Sequence, residues 1–92
     1  MKLEQLLADL TSAPGVSGRE HRIASVLTEF LESDDAKDWG TDIRRDALGN
    51  LIIYKAGHSP DPPRVMLAAH MDEIGLIVTE VKDGFLRFAP VG

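Results

Sequence analysis

The chain has 92 residues, no cysteine and a formal net charge of -5. That length suits one small domain with a modest core, and the missing cysteine excludes a disulfide framework and a thiolate metal site. Lys and Arg are dispersed, so nothing reads as a nucleic-acid face, and no stretch approaches the ~20 apolar residues that a membrane-spanning helix needs.

The N-terminal "MKLEQLLADL" carries acids inside its apolar pattern, which does not fit a signal peptide. Leu3, Leu6, Leu7 and Leu10 recur at helical spacing and predict an amphipathic helix. "SAPG" should stop it at Pro14 and Gly15. A second helix is expected from "SGRE", with Ser17 capping the free amides and Glu20 completing a capping box. Its apolar stripe is Ile23, Val26, Leu27, Phe30 and Leu31. "ESDDAKD" reads as a charged surface turn.

From Thr41 the period changes. "TDIRRDA" and "NLIIYKAG" flank "LGN", where Gly49 and Asn50 suit the positive φ of a tight turn, so a β-hairpin is expected. "HSPDPP" has three prolines in six residues and must be a loop. "RVMLAAHM" reads as a nearly continuous apolar strand of the kind buried on both faces. "GLIVTEV" and "FLRFAPV" surround "KDG", and Asp83-Gly84 predicts another hairpin. The expected fold class is mixed α/β, with two helices followed by hairpin-connected strands.

Chemistry concentrates in "AAHMDEIG", residues 68 to 75. Side chains alternate along a strand, so His70 and Asp72 share a face, with Cβ atoms roughly 6 to 7 Å apart, while Glu73 points the other way. An Asp can bridge that gap to one ring nitrogen. A metal-binding His uses such a partner: one nitrogen ligates, and the other donates to a carboxylate that sets the tautomer and raises basicity. The same pair also serves as a plain hydrogen bond at a sheet rim, and the residues alone leave both readings open. His21, in the first turn of the second helix, and His58, in the Pro-rich loop, read as surface histidines. Ser17 is accounted for by capping, and no nucleophile elbow, P-loop or dinucleotide fingerprint is present.

The segments "LLADLTSAPGVSGREHRIASVL", "DALGNLIIYKAG" and "RVMLAAHMDEIGLIVTEVKDGFLRFAPVG" follow one another in order. Together they resemble the start of a glutamyl/deblocking aminopeptidase of the M42 metallopeptidase family, the tetrahedral aminopeptidase type. The resemblance covers essentially the whole chain. It implies a cytoplasmic enzyme that removes N-terminal residues from peptides with two divalent ions, zinc or cobalt. It implies a catalytic domain with a mixed central sheet, into which a smaller dimerisation domain is inserted. His70 then matches a ligand of one ion, Asp72 the carboxylate that orients it, and Glu73 is given no catalytic role.

The family's other ligands and its general base have no counterpart in these residues. The expectation is therefore that residues 1–92 form the N-terminal part of the catalytic domain, without the inserted domain or the C-terminal half. A catalytic zinc site needs about three protein ligands, so the isolated chain is expected to be inactive, and its open sheet edges to drive self-association or pairing with a missing segment. The alternatives are a non-catalytic assembly or regulatory module of such a peptidase, a structural domain with a rim hydrogen bond, and a homologue of the endoglucanase-labelled kind.

Overall fold

The computed structural model describes residues 3–39 and 42–92; Met1, Lys2, Gly40 and Thr41 lie outside them, including the first residue of the strand-like run predicted from Thr41. Helix α1 runs Leu3–Ser12 and helix α2 runs His21–Glu32. In α1 only Leu6 and Leu10 of the predicted stripe are half-buried, while Leu3 and Leu7 stay exposed. Pro14 has no amide to continue the helical ladder, and the last α1-type bond runs from the Ala13 amide to the Asp9 carbonyl at 3.0 Å. In α2 the stripe turns inward: Ile23, Ala24 and Leu31 are buried, with Val26, Leu27 and Phe30 half-buried.

The predicted capping box does not form. Helix α2 begins at His21, with Glu20 at its N-cap and no side-chain cap. The Glu20 carboxylate instead accepts from the Gly18 amide at 2.7 Å, and Ser17 sits in a turn closed by the Arg19 amide on the Val16 carbonyl at 2.8 Å. The charged segment after α2 is more than a solvated end. Ala36 within it is buried, and Trp39 packs edge-on against Phe30 at a centroid distance of 5.3 Å.

Strands β1 (Asp42–Arg45) and β2 (Leu51–Tyr54) form the first antiparallel hairpin. The connection is an Asp-centred loop. Asp46 accepts at Oδ1 from the amides of Leu48 (3.0 Å) and Asn50 (2.9 Å), and at Oδ2 from the Asn50 side chain (2.7 Å). Gly49 takes the positive φ, at 89°, but Asn50 does not, contrary to expectation; its side chain serves as a donor to Asp46 instead. Strands β3 (Gly75–Lys82) and β4 (Phe85–Val91) form the second hairpin. Asp83 (φ 51°) and Gly84 (φ 80°) make its two-residue turn, the geometry that matches strand twist. A bulge between Val78 and Glu80 leaves Thr79 without a register partner.

The described residues thus form a mixed α/β arrangement of two helices and four antiparallel strands in two small sheets. One sequence expectation fails outright. Residues 64–71, predicted as a strand buried on both faces, form no strand, and Val65, Met66 and Leu67 are 84%, 88% and 93% exposed. A strand exists only where a neighbour takes its backbone N–H and C=O groups, and among the described residues none pairs with this run. The molecule is correspondingly long, with a radius of gyration of 17.7 Å, where a compact chain of this length would have about 12 Å.

The Asp46 loop has a pH signature. Hydrogen bonds from the Asn50 side chain first, then from the backbone of Asn50, Leu48 and Gly49, hold the Asp46 carboxyl below its ordinary value. A depressed carboxyl pKa contributes stability above the unfolded-state value and loses it as pH falls through the folded one. Amide exchange at Leu48 and Asn50 is therefore expected to accelerate relative to the β3–β4 hairpin on titration from about pH 6 to about pH 2. Asp46→Asn should remove that pH dependence.

Candidate functional site

The site is built where two remote pieces of chain meet. The loop between the helices, residues 13–19, lies beside residues 70–75, and Val16 and Glu73 form a parallel bridge. The Glu73 amide donates to the Gly15 carbonyl at 2.8 Å. The Glu73 carboxylate accepts the Gly15 amide at 3.2 Å. Two glycines permit the close packing around this contact. A Cβ at Gly15 would stand 2.5 Å from Ile23 Cγ1, and one at Gly75 would stand 2.6 Å from Val16 Cγ2. Both are closer than real carbon contacts come, so bare Gly75 lets Val16 approach across the join, and bare Gly15 lets the loop lie against Ile23 of α2.

This clasp presents the predicted pair. His70 Nδ1 lies 2.9 Å from Asp72 Oδ1 and 3.0 Å from the Asp72 carbonyl oxygen. The contact forms without the strand that the alternation argument assumed, because residues 70–72 run as an irregular segment whose side chains still meet two positions apart. Two oxygen acceptors at Nδ1 place a ring proton there, so that in the neutral ring Nε2 carries the free lone pair. The His70 side chain is 86% exposed, that of Asp72 only 37%.

The other oxygen of Asp72 is also held. The Ser17 hydroxyl donates to Asp72 Oδ2 at 2.5 Å. The carboxylate is thus gripped from both sides, which pulls its pKa below the usual value; the Ser17 hydrogen bond is the largest cause, opposed by partial desolvation and supplemented by His70. Ser17 is the participant that sequence reasoning assigned elsewhere. Its capping pattern was satisfied locally on paper, and its true partner lies 55 residues away. Glu73, read as facing away, does leave the His70–Asp72 pair alone, but it clamps Gly15 instead of standing free in solvent.

His21 and His58 remain exposed and apart from this pair, as expected of surface histidines. Among the described residues no group of three or more His, Cys, Asp or Glu side chains could hold a metal ion together. The arrangement can do one thing chemically: present a single imidazole nitrogen, with fixed tautomer and backed by a carboxylate, to an electrophile in solvent.

Comparison with known proteins gives these residues a context. Residues 49–92 match the M42 glutamyl aminopeptidase family. The chain is 41% identical over 90 residues to the lysyl aminopeptidase of Pyrococcus furiosus, covering 96% of this chain and 24% of that protein. It is 46% identical over 93 residues to the glutamyl aminopeptidase of Lactococcus lactis subsp. cremoris, covering 100% of this chain and 25% of that one. A putative aminopeptidase of Acetivibrio thermocellus is 44% identical over 88 residues, 95% of this chain and 24% of its own length. The chain therefore spans about a quarter of the length of the curated relatives it matches.

Gly15→Ala tests the clasp. The added Cβ forces Ile23 or the loop to move, an overpacking cost of about 1–3 kcal/mol. A urea melt should move to lower denaturant by that amount, and the Glu73 amide should lose its protection from exchange while the Asp83-Gly84 turn keeps its own.

Proposed function

Because the chain belongs to the M42 glutamyl aminopeptidase family, we propose that it forms the N-terminal part of the catalytic domain of an aminopeptidase working with two divalent ions, zinc or cobalt. The observation that carries this reading is the imidazole of His70, exposed at Nε2 and held at Nδ1 by Asp72. In that role His70 would hold one ion through Nε2. Asp72 keeps the proton on Nδ1 and its negative charge raises the basicity of the other nitrogen, the duty of a carboxylate behind a ligating His. A divalent ion bound there supplies Lewis-acid activation of a peptide carbonyl and of water. Glu73 does not enter the chemistry; it fixes the chain direction at Asp72 through Gly15.

The donor set fits one arm of such a centre. One imidazole falls short of the three or so protein ligands that a catalytic zinc ion takes, and no second donor cluster stands near it among the described residues. The remaining ligands and the general base are proposed to come from outside these 92 residues. The isolated chain should then bind zinc or cobalt more weakly than about 1 μM by titration calorimetry, lose that residual binding on His70→Ala, and release no p-nitroaniline from an aminoacyl p-nitroanilide. Sub-micromolar binding with turnover would overturn the assignment of the missing ligands.

The exposed apolar surface supports a companion reading, in which the chain buries its open strands against further protein. Val65, Met66 and Leu67, together with Leu76, Val78, Phe85 and Phe88 on the second hairpin, are all more than half exposed. Among the described residues every strand is also an edge, because both sheets have two strands, and such edges are templates for further pairing. Light scattering after size exclusion should show the chain associating as its concentration rises. A clean monomer throughout would count against this reading.

A further inference from the structure

Ser17 is used by nothing in the proposed chemistry, yet it makes the most unusual contact in the site. Its hydroxyl crosses from the helix–helix loop to a carboxylate 55 residues away, at 2.5 Å. It could instead have capped α2 locally, as its sequence context invites, but α2 starts beyond it without a side-chain cap. Three contacts bring the hydroxyl to this place: the Val16–Arg19 turn, the Val16–Glu73 bridge and the Gly15–Glu73 hydrogen bonds. Gly92 flanks it as well: a Cβ there would stand 3.1 Å from Ser17 Oγ.

We propose that Ser17 is a positioning residue for His70: by donating to Asp72 Oδ2 it locks the carboxylate so that Oδ1 faces His70 Nδ1 and the ring offers Nε2 outward. This rests on the reading of His70 as a ligand and deepens it. The physical reasoning is that an Asp carboxyl turns about a broad, nearly two-fold torsion. With Oδ2 unheld, the carboxylate of an exposed His-Asp pair swings between the ring and water. With Oδ2 tied to a hydroxyl that is itself anchored by backbone pairing, one rotamer remains. A hydrogen bond to a carboxylate is stronger than one between neutral groups, so the Ser17 hydroxyl is a firm hold on Oδ2. No bond is made or broken in this role; the chain is Ser17 O–H to Asp72 to His70 N–H, and each donor keeps its proton.

The test reads the ring itself. Two-bond nitrogen–proton correlations of the 92-residue chain, recorded where His70 is neutral, distinguish Nδ1–H from Nε2–H. The wild type is expected to show Nδ1–H at His70, although an unheld imidazole favours Nε2–H. Ser17→Ala should move His70 toward Nε2–H while the Gly15 and Glu73 amide signals stay in place, and Ser17→Thr, which keeps a hydroxyl, should restore Nδ1–H. Zinc titrated into the same samples should perturb His70, with Ser17→Ala weakening the binding by up to about tenfold, the lower end of the 10–100-fold expected for losing a ligand's orienting partner. An unchanged tautomer in Ser17→Ala overturns the proposal, and so does a wild type already dominated by Nε2–H. If Ser17→Ala loses the clasp altogether, Ser17→Thr decides: an intact clasp with Nε2–H overturns the proposal, and one with Nδ1–H supports it. A tautomer response to Ser17→Ala without any zinc response at His70, even at millimolar zinc where weak residual binding would register, leaves the Ser17 relay standing and removes the ligand reading instead.

Discussion

The joining of Gly15, Val16 and Ser17 to Asp72, Glu73 and Gly75 is the constraint on which the site depends. It closes a loop of roughly 55 residues, at an entropic cost of about 3.5 kcal/mol plus a constant. One backbone hydrogen bond contributes only about 1 kcal/mol net, so the Glu73–Gly15 amide bond could not hold the loop shut alone. The contact has to be collective: paired backbone, Val16 methyls on the bare Gly75, Ile23 against the bare Gly15, and two side-chain bonds across the join. The local packing of α2 contributes here directly, because Ile23 belongs both to the helix core and to the wall that Gly15 leans on.

The clasp explains how a defined pair can stand on irregular backbone. Residues 64–72 belong to no ladder, and a segment without ladder bonds or cover has little to fix it. The hold on residues 72–75 comes from the helix–helix loop, and β3 begins at Gly75 as soon as β4 is available to pair with it. His70 lies just outside the clasped stretch and is tied back to it by Asp72 through two acceptors, side chain and main chain. Position is thus handed along from a packed helix to a loop, then to a carboxylate, then to a ring.

What was legible in the sequence divides along the range of the interactions. Asp83-Gly84 named its hairpin because the turn chemistry is contained in the two residues themselves. The α2 stripe was legible because helical periodicity is local, and the His70–Asp72 pair because a spacing of two is short enough for the side chains to meet in any extended segment. Ser17 was misread because its local and distant partners compete for the same hydroxyl, and the ionised acceptor of Asp72 makes the stronger bond. The run from Arg64 to Met71 was misread for a different reason. A continuous apolar pattern reports that a segment suits burial, whereas strand formation needs a neighbour, and apolarity carries no information on whether one is present. The short "LGN" turn hid the central role of Asp46, whose carboxylate organises the loop from two positions ahead of Leu48.

The difference in exposure within the pair fits the role proposed for it. A ligating ring must be reachable, and His70 is largely open to solvent. A carboxylate that is to act on that ring must not spend its charge on water, and Asp72 is the more sheltered partner, with each oxygen facing a donor. Reversing the two exposures would give a hidden ring with no access and a hydrated carboxylate with little hold on it. In the proposed role an ion approaching Nε2 would meet a ring already oriented through Asp72, so less ordering would remain to be done on binding. That advantage would belong to this single arm, however many further ligands completed the proposed centre. Under that proposal the helix–helix loop, which lies far from "AAHMDEIG" in sequence, takes a direct part in the chemistry of that stretch.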